Sequence, residues 1–284
     1  MSESATTDIV QMCLRFGKEN HGEERPIVIM GKKFFVWSFD DGLEQDKKIV
    51  EILRSFGMGA TFNLNSGLYG KRQMIGRIGN IGFREVSLPD FHKKQKHLLK
   101  YVPHYRIPDD EVREVYEGFE IASHSLGHEN LTRLTEAELQ YNITSDVENL
   151  SKKFGQKVTG FAYPFGAKNS TTKKVLMQCG ITYARTVKMT NSFDFPADPM
   201  ELNLTGGHTT ADALSKVDQF IAMEEREEDS LFLMFAHGYE FDYGTKESSW
   251  EKFKRICDRV AGNSDIICCS TQTALNEHEK NLRR

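Results

Sequence analysis

Long apolar runs are missing from this chain of 284 residues. No stretch approaches the ~20 consecutive apolar residues that a membrane-spanning helix needs. The N-terminal stretch MSESATTDIVQMCLRFGKENHGEER has no basic segment followed by an apolar one, so no signal peptide is expected. A strong charge of either sign is also missing. The net charge of −4 gives no electrostatic footprint for nucleic acid and none for a membrane surface, and neither partner is expected. Cysteine is sparse, and its five copies (Cys13, Cys179, Cys257, Cys268 and Cys269) are odd in number and without C-x-x-C spacing. That usage suits buried thiols in a reducing compartment, and a cytoplasmic location is expected. Internal repeats, low-complexity tracts and a convincing domain linker are absent.

Apolar content is sufficient for a large core, at 39% hydrophobic against 27% charged residues. The patterning alternates between strand and helix. Strands are expected at 34–39, 60–64, 119–123, 158–163, 182–187, 201–204, 231–235 and 265–269. Helices are expected at 43–56, 109–116, 171–179, 209–223 and 250–260, with a further one opened by the Thr135-Glu-Ala-Glu138 capping box and a last one capped by Thr271. Alternation of this kind implies a parallel sheet, and at this length a closed or nearly closed β/α barrel leads over a doubly wound open sheet. Residues 1–30 are read as an N-terminal extension and 31–284 as a single domain. A polar stretch at 70–108, carrying His92, His97 and His104, is read as an insertion with solvated histidines.

Reactive polar residues recur just after the strands. Asp40-Asp41-Gly42 follows the first, His124 and His128 follow another, then AYPFG at 162–166, His208, and His237-Gly238. In a parallel β/α fold all these strand ends open on one face, so segments far apart in sequence meet there. The pair His124 and His128 is expected on one helical turn with both rings on one side. Two imidazoles and one carboxylate, from Asp40 or Asp41, form an open site for a divalent metal. The other carboxylate is then free to act as a base towards water. Separately, each segment has a plain reading: Asp-Asp before a helix commonly caps it, and H-x-x-x-H alone is weak. Their common position carries the inference.

These residues resemble the polysaccharide deacetylases of the NodB-homology type, carbohydrate esterase family four. SFDDG (38–42) is similar to that family's first motif, SHSLGHENL (123–131) to its second, GFAYPFG (160–166) to its third and LFLMFAH (231–237) to its fifth. The resemblance implies a distorted (β/α) barrel of about seven strands. It implies Asp40 as base, Asp41, His124 and His128 as metal ligands, and His237 as general acid. It places the oxyanion and substrate contacts at Tyr163, Pro164 and Phe165. Two parts of the pattern are missing. Ala162 stands where the third motif has arginine, so Arg185 is expected to replace that cation. The fourth motif's acid has no counterpart, so Asp194 or Asp198 is expected to support His237, with His208 lining the pocket. The implied activity is hydrolysis of an N-acetyl group on a sugar or oligosaccharide. The implied cofactor is a divalent metal, zinc first, with nickel, cobalt and iron as alternatives. Competing readings are a C–N hydrolase acting on a non-sugar amide and an inactive carbohydrate-binding relative.

Overall fold

The computed structural model describes residues 30–77, 83–87, 101–224 and 226–283. Cys13, His92, His97 and nearly all of the expected N-terminal extension lie outside the described residues. The first strand, β1 (Lys33–Asp40), is central. It pairs in parallel with β11 (Ser230–His237) on one side and β2 (Thr61–Leu64) on the other, and β12 (Ile266–Cys268) pairs with its start. Beyond β2 the sheet continues through β6 (Glu120–Ser123), β7 (Gly160–Ala162), β8 (Tyr183–Met189) and β9 (Leu202–Leu204). The short β10 (Gly206–Gly207) returns to β11. Residues 202–207 therefore close the barrel, pairing with β8 at one end and β11 at the other, while the Thr205 N–H donates to the Leu233 carbonyl between them. The sheet has nine strands, against eight from the patterning and about seven from the resemblance; the ninth is β10, which the patterning did not separate from 201–204.

Side-chain alternation along β1 divides the core. Phe35, Trp37 and Phe39 face outward and pack with Ile49 and Leu53 of α1 (Asp46–Ser55) and Phe253 and Ile256 of α6 (Trp250–Ala261). Phe34 and Val36 face inward with Leu202, Leu204, Leu231 and Leu233. Period two then places Ser38 and Asp40 on the inner face, at the C-terminal mouth. The remaining helices are α2 (Val112–Val115), α3 (Glu136–Phe154), α4 (Ser170–Gln178), α5 (Ala213–Ala222) and α7 (Thr271–Leu282). Thr135 and Glu138 form the expected reciprocal cap. The last helix is capped by Ser270, whose side chain accepts from the Thr273 N–H, and Thr271 is its first residue. Among the described residues no helix is long and apolar enough to cross a membrane.

The insertion is a small antiparallel sheet of its own, with β3 (Arg72–Arg77) between β4 (Phe83–Ser87) and β5 (Tyr101–Tyr105). Its closing strand runs directly onto the barrel mouth: the Ile107 N–H donates to the Gly42 carbonyl and the Glu44 N–H to the Tyr105 carbonyl.

Candidate active site

Asp40 and Asp41 leave β1 in different directions. Asp40 ends the strand, in register with His237 on one neighbour and Asn63 on the other. Asp41 takes φ 84°, a region that non-glycine residues occupy at a cost of ~1–3 kcal/mol. Its side chain turns towards the insertion and the two histidines. His128 Nε2 lies 3.7 Å from Asp41 Oδ1, and the rings of His124 and His128 are 4.7 Å apart. Ligand atoms of Asp41, His124 and His128 all fall within 4.8 Å of one another.

The histidines do not sit on a helical turn. Residues 124–130 form an irregular loop in which Ser125 and His128 both have positive φ, 67° and 59°. The loop is held by side chains rather than by a helical ladder. Asn65 donates to the Ser125 carbonyl at 2.8 Å, and Asn142 accepts from the Leu126 N–H at 3.0 Å. Glu129 accepts from Asn142 and from the Gly127 N–H. His124 Nδ1 donates to the Ala162 carbonyl at 2.7 Å, so its Nε2 lone pair is the free one.

Asp41 is also gripped from the insertion. Arg106 Nη2 donates to Asp41 Oδ1 at 3.0 Å, and its Nη1 donates to the Asp41 carbonyl and to Asn65 Oδ1. His104 Nε2 donates to Asp41 Oδ2 at 3.1 Å, a tautomer set by the Gln73 amide, which donates to His104 Nδ1. His104 was expected to be solvated and is instead fully buried. The legible signal was spacing: His104 and Arg106, two residues apart on an extended segment, share a side.

Arg185 reaches across the barrel to Asp40. Its Nη2 donates to both carboxylate oxygens and its Nε donates to Ser38 Oγ at 3.1 Å. Asn63 donates to Asp40 Oδ1 at 2.8 Å. A cation therefore stands on Asp40 although Ala162 occupies the motif position. The other supporting expectations need correction. Asp194 lies beside Ser230, at the opposite end of β11 from His237, and pairs with Arg226. Asp198 pairs with Lys173. The carboxylate that approaches the Nδ1 side of His237 is Glu240, three residues on, with Oε1 at 3.6 Å. His208 does not line the cavity; it is buried behind Glu240. Tyr163 and Pro164 offer no oxyanion donor, since the Tyr163 N–H is committed to the Arg185 carbonyl and proline has none. Phe165, at φ 59°, is the one of the three with an available type of donor, and its ring lies 4.6 Å from that of His128.

Electrostatics sort these groups by role. Burial pushes the Asp40 carboxyl up, but Arg185 beside it prevails and holds it below the usual range. Burial acts likewise on Asp41, and Arg106 and His104 hold it well below. Burial pushes His124 down to about 4 and also lowers His128, which leaves both as neutral imidazoles, the form that binds metal. Burial alone would lower His237 as well, but Glu240 raises it to about 9, the form of a proton donor. All five groups line one cavity of about 540 Å³, walled by Leu68, Lys71, Ile75 and Tyr239 on the insertion side and by Phe165, Val187 and Phe235 elsewhere. Larger clefts, such as that of about 790 Å³ beside Phe119, contain none of these groups.

The family model for polysaccharide deacetylase matches residues 28–184, more than half of the chain. The chain belongs to the polysaccharide deacetylase family. No curated protein matches the sequence. Among solved structures, a Mycobacterium smegmatis protein described as a polysaccharide deacetylase aligns with 14% identity over 89% of this chain and 92% of that one, at a TM-score of 0.56. The peptidoglycan deacetylase PdaC from Bacillus subtilis aligns with 15% identity over 89% and 94%, at a TM-score of 0.50. The Streptococcus pyogenes deacetylase PplD aligns with 17% identity over 58% of this chain, which spans 61% of that protein's length, at a TM-score of 0.41. At these identities the first two likenesses establish a shared fold. In this member of the family the histidines of 124–128 and the aspartates of 40–41 meet at one mouth, and the insertion supplies two of Asp41's partners.

Proposed function

We propose that the chain is a metal-dependent hydrolase that removes an N-acetyl group from a sugar of a glycan or glycan precursor. The observation that carries this reading is the placement of Asp40 and His237 around the Asp41–His124–His128 triad, all facing one cavity. The donor set fits a divalent metal: one carboxylate, and two imidazoles kept neutral by burial. Zinc is the metal we assign, with nickel, cobalt and iron as competitors for the same donors. When bound, the metal supplies Lewis acidity to the acetyl carbonyl and lowers the pKa of water.

The chain's own residues supply the remaining parts. Asp40, fixed by Arg185 and Asn63, accepts the proton of the attacking water. Its low proton affinity makes it a weak base, which is why the reading requires the acidifying metal. The Phe165 N–H is the backbone donor for the oxyanion that develops on the former carbonyl oxygen. His237 gives its proton to the departing amine. The exposed Phe165 ring and the apolar Val187 offer a face for the C–H side of a sugar ring.

Purified protein supplied with zinc, nickel, cobalt or iron should release acetate from N-acetylated oligosaccharides. Normal metal binding without acetate release from any N-acetylated sugar would overturn the reading. Turnover of simple non-sugar acetamides alone would favour a different amide substrate.

A further inference from the structure

Glu240 occupies an unusual position for an acid. It is buried at 7% exposure, and a histidine ring approaches each of its carboxylate oxygens. Oε1 lies 3.6 Å from His237 Nδ1. Oε2 lies 3.5 Å from His208 Nε2 and also accepts the His237 N–H at 2.8 Å. His208 is itself fixed, because its Nδ1 donates to the Phe235 carbonyl at 3.1 Å and its ring packs against Phe241. His208 Nε2 and His237 Nδ1 are both buried without a hydrogen-bond partner, and both are directed at this one carboxylate. Phe235 and His237 lie on the inner face of the same strand, so the arrangement begins and ends on β11. Neither of the aspartates expected to serve His237 comes near it.

We propose that Glu240, backed by His208, is the positioning residue of the proton donor. The carboxylate beside Nδ1 fixes the His237 ring so that Nε2 faces the cavity, 3.9 Å from Asp41 Oδ2, while the His208 ring packs against the far side of that carboxylate. Glu240 touches neither the cavity nor the metal-ligand set; it acts through His237 alone. A residue of this kind is needed because the His237 side chain is only loosely packed at its outer edge, at 20% exposure, with the Tyr239 ring stacked on one face. Stacking tolerates a half-turn of the ring about χ2, and a carboxylate on the Nδ1 side disfavours it. Holding the acid within reach of the leaving nitrogen then becomes a property of the 237–240 turn, where sequence distance is three. The distant partner expected in Asp194 or Asp198 is replaced by a local one.

This inference rests on the deacetylase reading, and a double-mutant cycle separates the two. Wild type, Glu240→Gln, His237→Ala and the double variant are assayed for acetate release from an N-acetylated chitooligosaccharide, with metal content and melting temperature recorded for each. Glu240→Gln is expected to lower kcat about 10- to 100-fold, with KM within about twofold, since general acid assistance contributes ~10²–10⁴ in all. In the His237→Ala background the same change should cost nothing further, because residues acting as a unit are non-additive. His208→Gln, which leaves the Glu240–His237 contact in place, should show a smaller loss with the same non-additivity, and it serves as the test if Glu240→Gln does not fold. Multiplicative losses, or an unchanged kcat, overturn the positioning role. Failure of the wild type to release acetate overturns the deacetylase reading instead.

Discussion

Arg185 and Asp40 meet across the barrel from positions 145 apart in sequence, and the guanidinium covers both oxygens of the carboxylate. The pair is nearly solvent-free, at 2% and 4% side-chain exposure, so each ion depends on the other. Removing one partner of a buried pair typically costs ~3–5 kcal/mol because the remaining charge is left uncompensated. Arg185→Met is therefore expected to lower the melting temperature strongly, whereas Arg185→Lys restores the charge but not the fork that also engages Ser38. Calorimetry of the three proteins checks this. Equal melting temperatures for Arg185→Met and wild type would contradict it.

Asp40→Asn keeps the shape of the side chain and removes its ability to take a proton. Acetate release should fall by about 10²–10⁴ in kcat. Metal stoichiometry should stay at the wild-type value, because the proposed ligands are Asp41, His124 and His128. Elemental analysis beside the assay distinguishes loss of the base from loss of the metal.

His128 is the most accessible of the proposed ligands, at 18% side-chain exposure, so truncating it leaves the core intact. His128→Ala is expected to weaken metal affinity by more than about 100-fold. Chelator-treated wild type should regain activity on titration with zinc, and the variant should not at the same concentrations. A competition assay with a chromogenic chelator reads both.

The insertion reaches Asp41 through His104 and Arg106, which gives it a part in metal affinity. His104→Ala removes the donor to Oδ2, and outer partners of metal ligands are worth about 10–100-fold in affinity. Titration of metal into the apo form of this variant should show that weakening, while its response to different N-acetylated oligosaccharides stays like that of wild type. Lys71 and Ile75, which wall the cavity, are the places to alter substrate preference.

Asp46 gives a pH signature separate from the catalytic groups. It is fully buried, accepts from Tyr116 OH at 2.6 Å and from the Leu43 N–H, and one of its oxygens has no partner. Burial pushes its carboxyl up to about 7. The folded state therefore holds a proton that the unfolded chain releases near 3.8. The associated stabilisation is complete below that value and is lost as pH rises through about 7. Asp46→Asn has no such titration, so its stability relative to wild type should rise with pH by up to about 1.4 kcal/mol per unit across that window. Urea unfolding at pH 5 and pH 7 measures the difference. A gap that does not change between the two would show that Asp46 is already ionised.

The strand and helix order, the parallel barrel and the family membership were legible because they rest on local patterning and on short motifs. β1 illustrates this: alternation along FFVWSFD assigns Phe35, Trp37 and Phe39 to one layer and Ser38 and Asp40 to the mouth without reference to any other segment. The capping box at Thr135 is equally local. The loop at His124 was less legible, since H-x-x-x-H suits a helix, and only Asn65, Asn142 and Glu129 hold it in another form.

What the sequence determined by itself was which residues stand at strand ends, because side-chain direction follows from period and the strand ends of a parallel barrel open on one face. What only the tertiary structure decided was which charges meet there. His104 and Arg106 reached Asp41, and Glu240, not Asp194 or Asp198, came beside His237, whereas the approach of Arg185 to Asp40 was already expected. Those pairings depend on how nine strands curve and how the insertion folds back over the mouth. A buried charge must find a partner within a few ångströms in space, and sequence spacing does not record that distance.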